Sequence, residues 1–197
     1  MNPLTPKLYT QNGRRIEFNN SMKVFNIGCG AQRYANVIGI DKVKSPGADI
    51  IHDLDTFPWP IADSSADVIL AFHVLEHVDD LPRVMEEIHR ISKPGARLIA
   101  EVPYFRSVLA YQDPTHRRFF TTRTMDYFCP NTKFGSYGYA QTDFELAGFW
   151  LGWPAKAKNP LKQLAKEFFK RHRDAYDAYL SRLYAMDIIV FELAVKK

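Results

Sequence analysis

Three short segments carry side chains whose types and spacing suit chemistry. In the first, the apolar run Val24-Phe-Asn-Ile27 feeds into Gly28-Cys29-Gly30, and Asp41 closes the next apolar run, Asn36-Val-Ile-Gly-Ile-Asp41. A buried strand ending in glycines lets backbone approach a ligand where a Cβ would collide. An acidic side chain at the tip of the neighbouring strand can accept hydrogen bonds from ribose hydroxyls. The second segment, His73-Val-Leu-Glu-His77, spells the H-x-x-E-H pattern of a zinc peptidase. That chemistry needs both imidazoles on one helical face, whereas this motif begins at the end of an expected strand. No metal is therefore expected, and Glu76 and His77 are read as holding a loop over the first site. The third segment is Asp113-Pro-Thr-His-Arg-Arg118. His116 is suited to take a proton from an acceptor hydroxyl, with Asp113 as its orienter, and Arg117 and Arg118 to clamp phosphate or carboxylate. The bland reading of the same residues is an Asp-Pro turn.

The elements that must position these groups follow from periodicity. Short β-branched runs at Val24–Ile27 and Val37–Ile40 read as strands buried on both faces, and Ala48–Ile51, Asp67–Phe72 and Ala96–Val102 as a third, fourth and fifth strand. Asp79–Ile91 reads as a helix, capped by Asp79 or Asp80, with Pro82 in its first turn. Its Leu81, Val84, Ile88 and Ile91 recur at helical spacing, and Lys93-Pro-Gly95 stops it. Such alternation predicts an α/β fold with a doubly wound parallel sheet, in which ligands bind at the carboxyl ends of the strands. Asn26 to Gly30, Asp41, Asp53 and His73 all fall at such ends. Only 11 positions separate Gly30 from Asp41, so the first crossover helix must be very short. Further on, Thr121–Phe128 looks helical, Thr142–Trp150 reads as a strand, Pro160–Tyr184 as one long helix and Ala185–Val195 as a closing strand.

Composition bounds the rest. At 197 residues and 46% hydrophobic content the chain can bury one sizeable core, and 24% charged with 14% aromatic residues argues against disorder. A net charge of +4 is too mild to name nucleic acid as a partner. Cys29 and Cys129 form no disulfide framework, no run approaches the roughly 20 apolar residues of a membrane span, and a cytoplasmic location is expected. Residues 1–21 lack periodicity and read as an arm or lid rather than core. Residues 22–197 read as a single domain with an acceptor-side insertion around 104–184.

From Val24 to Pro103 the chain resembles the class I S-adenosylmethionine-dependent methyltransferases, especially a small methyltransferase-11-like bacterial group. The landmarks are Asn-Ile-Gly-Cys-Gly (26–30), Gly-Ile-Asp (39–41), His-Asp-Leu (52–54), Phe-Pro-Trp-Pro (57–60), His-Val-Leu-Glu-His-Val (73–78) and Ile-Ser-Lys-Pro-Gly (91–95). They span about 80 of the 197 residues. The resemblance implies a mostly parallel, Rossmann-like sheet of seven strands with an antiparallel last strand. It implies S-adenosylmethionine as cofactor and S-adenosylhomocysteine as product. Gly28, Cys29 and Gly30 would face the cofactor's amino-acid and ribose portion, and Asp41 the ribose hydroxyls. Asp53 and Leu54 would border adenine, and His73 would lie beside the methionine portion. Asn26 stands where that family often has an acid.

Cys29 reads as a small packing residue between glycines rather than a reactive thiol. Tyr104 and neighbouring aromatics, with Arg117 and Arg118, suit a small-molecule acceptor or a glycan or lipid-linked one. The 160–184 helix carries Leu164, Phe168, His172, Tyr176, Tyr179 and Leu183 on one stripe. Packing on the body explains that stripe, and peripheral contact with an anionic membrane is the alternative. Two other functions compete with methyl transfer. A nicotinamide-dependent oxidoreductase would need a third glycine where Arg33 stands. A cofactor-binding regulator would keep the fold without the chemistry.

Overall fold

A computed structural model describes residues 7–10, 15–152 and 159–197. An antiparallel ribbon, β1 (Lys7–Tyr9) and β2 (Arg15–Glu17), precedes the main sheet. The sheet contains β3 (Val24–Ile27), β4 (Val37–Asp41), β5 (Ile50–Ile51), β6 (Ala66–Phe72), β7 (Ser92–Pro103), β8 (Phe144–Leu151) and β9 (Ile188–Val195). Helices α1 (Leu81–Ile91), α2 (Pro160–Arg171) and α3 (Arg173–Ala178) accompany it. The seven strands lie in the order β5-β4-β3-β6-β7-β9-β8. All pairs from β5 to β7 are parallel, and β9 runs antiparallel to both of its neighbours. The chain therefore steps outward from β3 to β5 and returns to β6 on the other side of β3. That reversal opens a crevice at the carboxyl ends of β3 and β6.

Alternation along the central strands gives the sheet two buried faces. Phe25, Ile27, Ile69, Ala71, Leu98 and Val102 share one core with Val84, Met85 and Ile88 of α1. That helix starts where the Asp80 carboxylate accepts the Arg83 amide at 3.1 Å, with Pro82 in the first turn. Val24, Val68, Leu70, Ile99 and Val190 point to the opposite face, where Ile16 and Phe18 cover them. Ile16 and Phe18, expected in an arm outside the core, are thus part of it. Each buried side chain of this kind contributes roughly 1.5–3 kcal/mol.

The short first crossover contains no helix at all among the described residues: the chain between β3 and β4 is built of turns. Backbone packs on backbone instead. A Cβ on Gly39 would lie 1.9 Å from the Gly47 carbonyl oxygen, so only glycine lets β4 meet the loop that follows it.

The long helix expected over 160–184 is broken at His172, whose φ of −117° and ψ of 52° leave the helical region. Side chains of the following turns are drawn into the core. Arg173 binds both oxygens of Asp126 at 2.9 Å, Tyr176 is fully buried, and Asp177 accepts the Thr122 hydroxyl at 2.8 Å. The expected packed stripe is mostly exposed, with Leu164 68% and Leu183 86% accessible, and only Tyr176 of it is fully buried. Lys166 and Phe169 turn inward in its place. No helix among the described residues is long and apolar enough to cross a membrane.

Candidate active site

The crevice is organised by one carboxylate. Asp41, at the tip of β4, accepts the Gly30 amide on Oδ2 at 2.8 Å and the Val43 amide on Oδ1 at 3.0 Å. A carboxylate offers about four acceptor positions, so capacity for hydroxyl donors remains. Gly28 and Gly30 have φ of 63° and 53°, the left-handed region where a Cβ is strained. At Gly28 the nearest obstacle is protein: a Cβ there would lie 2.2 Å from Val74 Cγ2. At Gly30 a Cβ would enter open space, the feature expected where a ligand passes over backbone.

Two cavities adjoin across Gly28 and His73. One, of roughly 470 Å³, is lined by Asp41, Lys42, Asp53, Leu54, Asp55, Val74, His77, Val78, Thr115 and Arg117 besides those two. The other, of roughly 430 Å³, is lined by Asn26, Cys29, Gly30, Ala31, Gln32, Tyr34, Phe72 and Glu101. The eight positions read from sequence as cofactor contacts all line one cavity or the other. Cys29 is buried, and burial followed by the nearby Asp41 charge raises its pKa, which disfavours a thiolate.

His73 sits between the cavities with a φ of 51°, strained for a residue with a Cβ. It is held by its amide, which donates to the Glu101 carbonyl at 2.9 Å, and by both ring nitrogens. Nε2 lies 3.2 Å from Glu101 Oε1 and Nδ1 lies 3.3 Å from Glu76 Oε1. Burial opposes its charge, but the two buried carboxylates outweigh that and push its pKa up to about 9. At neutral pH this imidazole is therefore cationic.

The third segment folds back over the loop after β6. The Arg117 and Arg118 amides donate to the Glu76 carbonyl at 2.8 and 3.0 Å, which brings Thr115 and Arg117 to the first cavity. The Arg117 and Arg118 side chains both reach Asp79, one pairing with its carboxylate and the other donating to its carbonyl. Asp113 does not orient His116 through its carboxylate. Its Oδ1 accepts the Thr115 amide and hydroxyl at 2.8 and 2.7 Å, and Thr115 in turn meets His77 Nδ1 at 3.0 Å. His116 Nδ1 instead meets the Ala110 carbonyl at 3.0 Å, and its ring packs edge-on against His77.

Tyr104 is not at a substrate surface. It is fully buried, donates its hydroxyl to Asp177 at 2.9 Å, and packs against Phe105 and Tyr176. Sequence reasoning missed Glu101, Tyr34 and Asp55. Asp55 Oδ1 accepts the Asp79 and Asp80 amides at 2.9 and 3.3 Å, tying the cavity wall to the start of α1. Glu101 had one legible signal, an acid closing the apolar run Leu98-Ile-Ala100 and followed by Val102.

With this geometry in view, comparisons with known proteins define the class. A family model described as a methyltransferase domain matches residues 5–137, and the chain belongs to that family. It is 31% identical over 123 residues to methyltransferase GfsG of Streptomyces halstedii, covering 50% of this chain and 43% of that protein. The chain spans less than half the length of the curated relatives it matches. In fold it is similar to a SAM-dependent methyltransferase from Archaeoglobus fulgidus, with a TM-score of 0.57, 17% identity, and 88% and 86% of the two chains covered. It is also similar to the [4+2]-cyclase SpnF, with a TM-score of 0.53, 18% identity, and 89% and 74% covered.

Proposed function

We propose that this chain is an S-adenosylmethionine-dependent methyltransferase acting on a small-molecule acceptor or a glycan or lipid-linked one. The observation that carries the reading is the joint between Asp41 and Gly30, flanked by two adjoining cavities at the carboxyl ends of the strands. These residues fit the cofactor. Asp41 has acceptor capacity for ribose hydroxyls, Leu54, Val74 and Val78 offer an apolar wall for adenine, and Asp53 lies beside them. Asn26 and Glu101 give the second cavity a polar floor suited to the amino-acid end. S-adenosylmethionine, when bound, supplies a methyl group on a sulfonium, and displacement at that carbon depends chiefly on alignment.

This chain's own residues would provide that alignment. Gly30 lets backbone close on the cofactor, Gly28 lets the turn pack against Val74, and the ion pairs of His73 fix the partition between the cavities. Thr115 and Arg117, on the wall of the first cavity, lie where an acceptor is expected to approach. The site's chemistry matters here because the fold alone also supports other reactions, as the cyclase likeness illustrates. The test is binding followed by turnover: calorimetric titration with S-adenosylhomocysteine, then transfer of labelled methyl to a panel of hydroxylated acceptors. Binding without transfer to any acceptor of these classes would leave the regulator reading in its place.

A further inference from the structure

Glu76, His77 and His116 form a cluster beside the proposed cofactor site, with His77 on the wall of the first cavity. One ligand atom of each lies within 4.8 Å of the others. Their hydrogen bonds determine which ring nitrogens are free. Thr115 Oγ1 gives its one proton to Asp113 Oδ1 at 2.7 Å, so in the 3.0 Å contact with His77 Nδ1 the imidazole must donate. The Ala110 carbonyl can only accept, so His116 Nδ1 donates as well. An imidazole that donates from Nδ1 can carry a lone pair only on Nε2. His116 Nε2 lies 4.0 Å from Glu76 Oε1, too long for a hydrogen bond. The Glu76 side chain is fully buried, and neither oxygen accepts a well-formed hydrogen bond from the described residues. Its ionic neighbour at closer range is His73, whose Nδ1 lies 3.3 Å from the same Oε1 oxygen. A buried carboxylate and two imidazoles thus stand within 4.8 Å of one another, and neither carboxylate oxygen is satisfied by a hydrogen bond from the described residues.

We propose that Glu76, His77 and His116 bind a divalent transition-metal cation, of which zinc is the natural probe. Two imidazoles and one carboxylate are a fitting donor set for zinc, with at least one coordination position left open. The outer contacts also suit a metal site. Asp113 through Thr115 fixes the His77 ring, and the Ala110 carbonyl fixes His116 with its Nε2 4.0 Å from Glu76 Oε1. The expectation of no metal rested on the H-x-x-E-H residues needing one helical face. The fold removes that requirement, because His116 arrives from a separate segment and both ring nitrogens of His73 are taken up by the carboxylates of Glu76 and Glu101. With His116 committed here, it is no longer a free general base.

The experiment uses the chelator-treated full chain, titrated with zinc chloride by calorimetry and checked by elemental analysis after dialysis. One zinc per chain is expected. His116→Ala and Glu76→Gln should weaken binding about 100-fold, and Thr115→Val, at the exposed rim, about 10-fold, as loss of an outer partner does. Thermal unfolding with and without zinc separates lost binding from lost fold: the wild type should gain in melting temperature, and folded variants should not. Absence of bound zinc in the wild type would overturn the proposal. Undiminished binding in folded Glu76→Gln and Thr115→Val would also overturn it, placing the metal elsewhere.

Discussion

The Asp41 carboxylate accepts the Gly30 amide at 2.8 Å, joining the tip of β4 to the turn that ends β3. One side chain therefore shapes the glycine turn and keeps acceptor capacity at the crevice, where the proposed cofactor's ribose would lie. Asp41→Ala should lower S-adenosylmethionine affinity by about 1–3 kcal/mol, the range for lost charge-assisted hydrogen bonds. Asp41→Asn, which keeps an acceptor for Gly30, should lose less. Calorimetry on both variants checks this, and equal affinity in wild type and a folded Asp41→Ala would remove Asp41 from the site.

Tyr104 is a structural residue. Its hydroxyl bonds Asp177 at 2.9 Å within a network that also holds Thr122, and burial raises the Asp177 carboxyl above its ordinary range. Tyr104→Phe should cost about 1–3 kcal/mol of stability by leaving a buried acceptor short of a donor. Cofactor affinity should not change. Urea unfolding beside a titration separates the two effects, and the reverse outcome would return Tyr104 to the ligand surface.

Glu87 gives the protein an acid-sensitive joint. It accepts the Trp59 amide at 2.9 Å and two bonds from Arg90 at 2.8 and 2.7 Å. Burial favours the neutral acid, but the Arg90 guanidinium and the Trp59 amide outweigh it and lower the pKa. Because the folded value lies below the unfolded one, the stabilisation is complete above about pH 4.3 and is lost as pH falls through the folded value. Glu87→Gln should therefore be less stable than wild type at pH 7 and show a shallower loss of stability below about pH 4.3. Denaturant unfolding across that range tests it, and parallel curves would contradict it.

Phe18 tests the second core. It is 3% exposed and lies over Val24, Val68 and Ile99. Phe18→Ala should cost about 3–5 kcal/mol, as for other buried aromatic truncations. A loss under about 0.5 kcal/mol, the size typical of surface positions, would restore the reading of residues 1–21 as an arm or lid rather than core.

Much of the sheet was legible because β-branched runs buried on both faces have few other destinies. Val24–Ile27 and Val37–Asp41 fall where periodicity puts them. The place of Gly28, Gly30 and Asp41 at one crevice was equally legible, since glycines after a strand and an acid at the next strand tip are local signals. Ile16 and Phe18 were not, because three residues of strand carry too little periodicity to reveal which sheet face they cover. The break at His172 was also hidden: it is set by partners distant in sequence, among them Asp126 and Thr122, that draw the next turns inward. The misassigned pairing of Asp113 has a similar cause. Proximity in sequence suggested His116, while the turn hands the carboxylate to Thr115.

The central claim is most directly tested by titrating the wild-type chain with S-adenosylhomocysteine and, separately, with NAD. The account predicts saturable binding of one S-adenosylhomocysteine per chain, lost progressively through Asp41→Asn and Asp41→Ala, and no binding of NAD at the same concentrations. Binding of NAD in preference to S-adenosylhomocysteine, or no binding of S-adenosylhomocysteine by the folded protein, would contradict it.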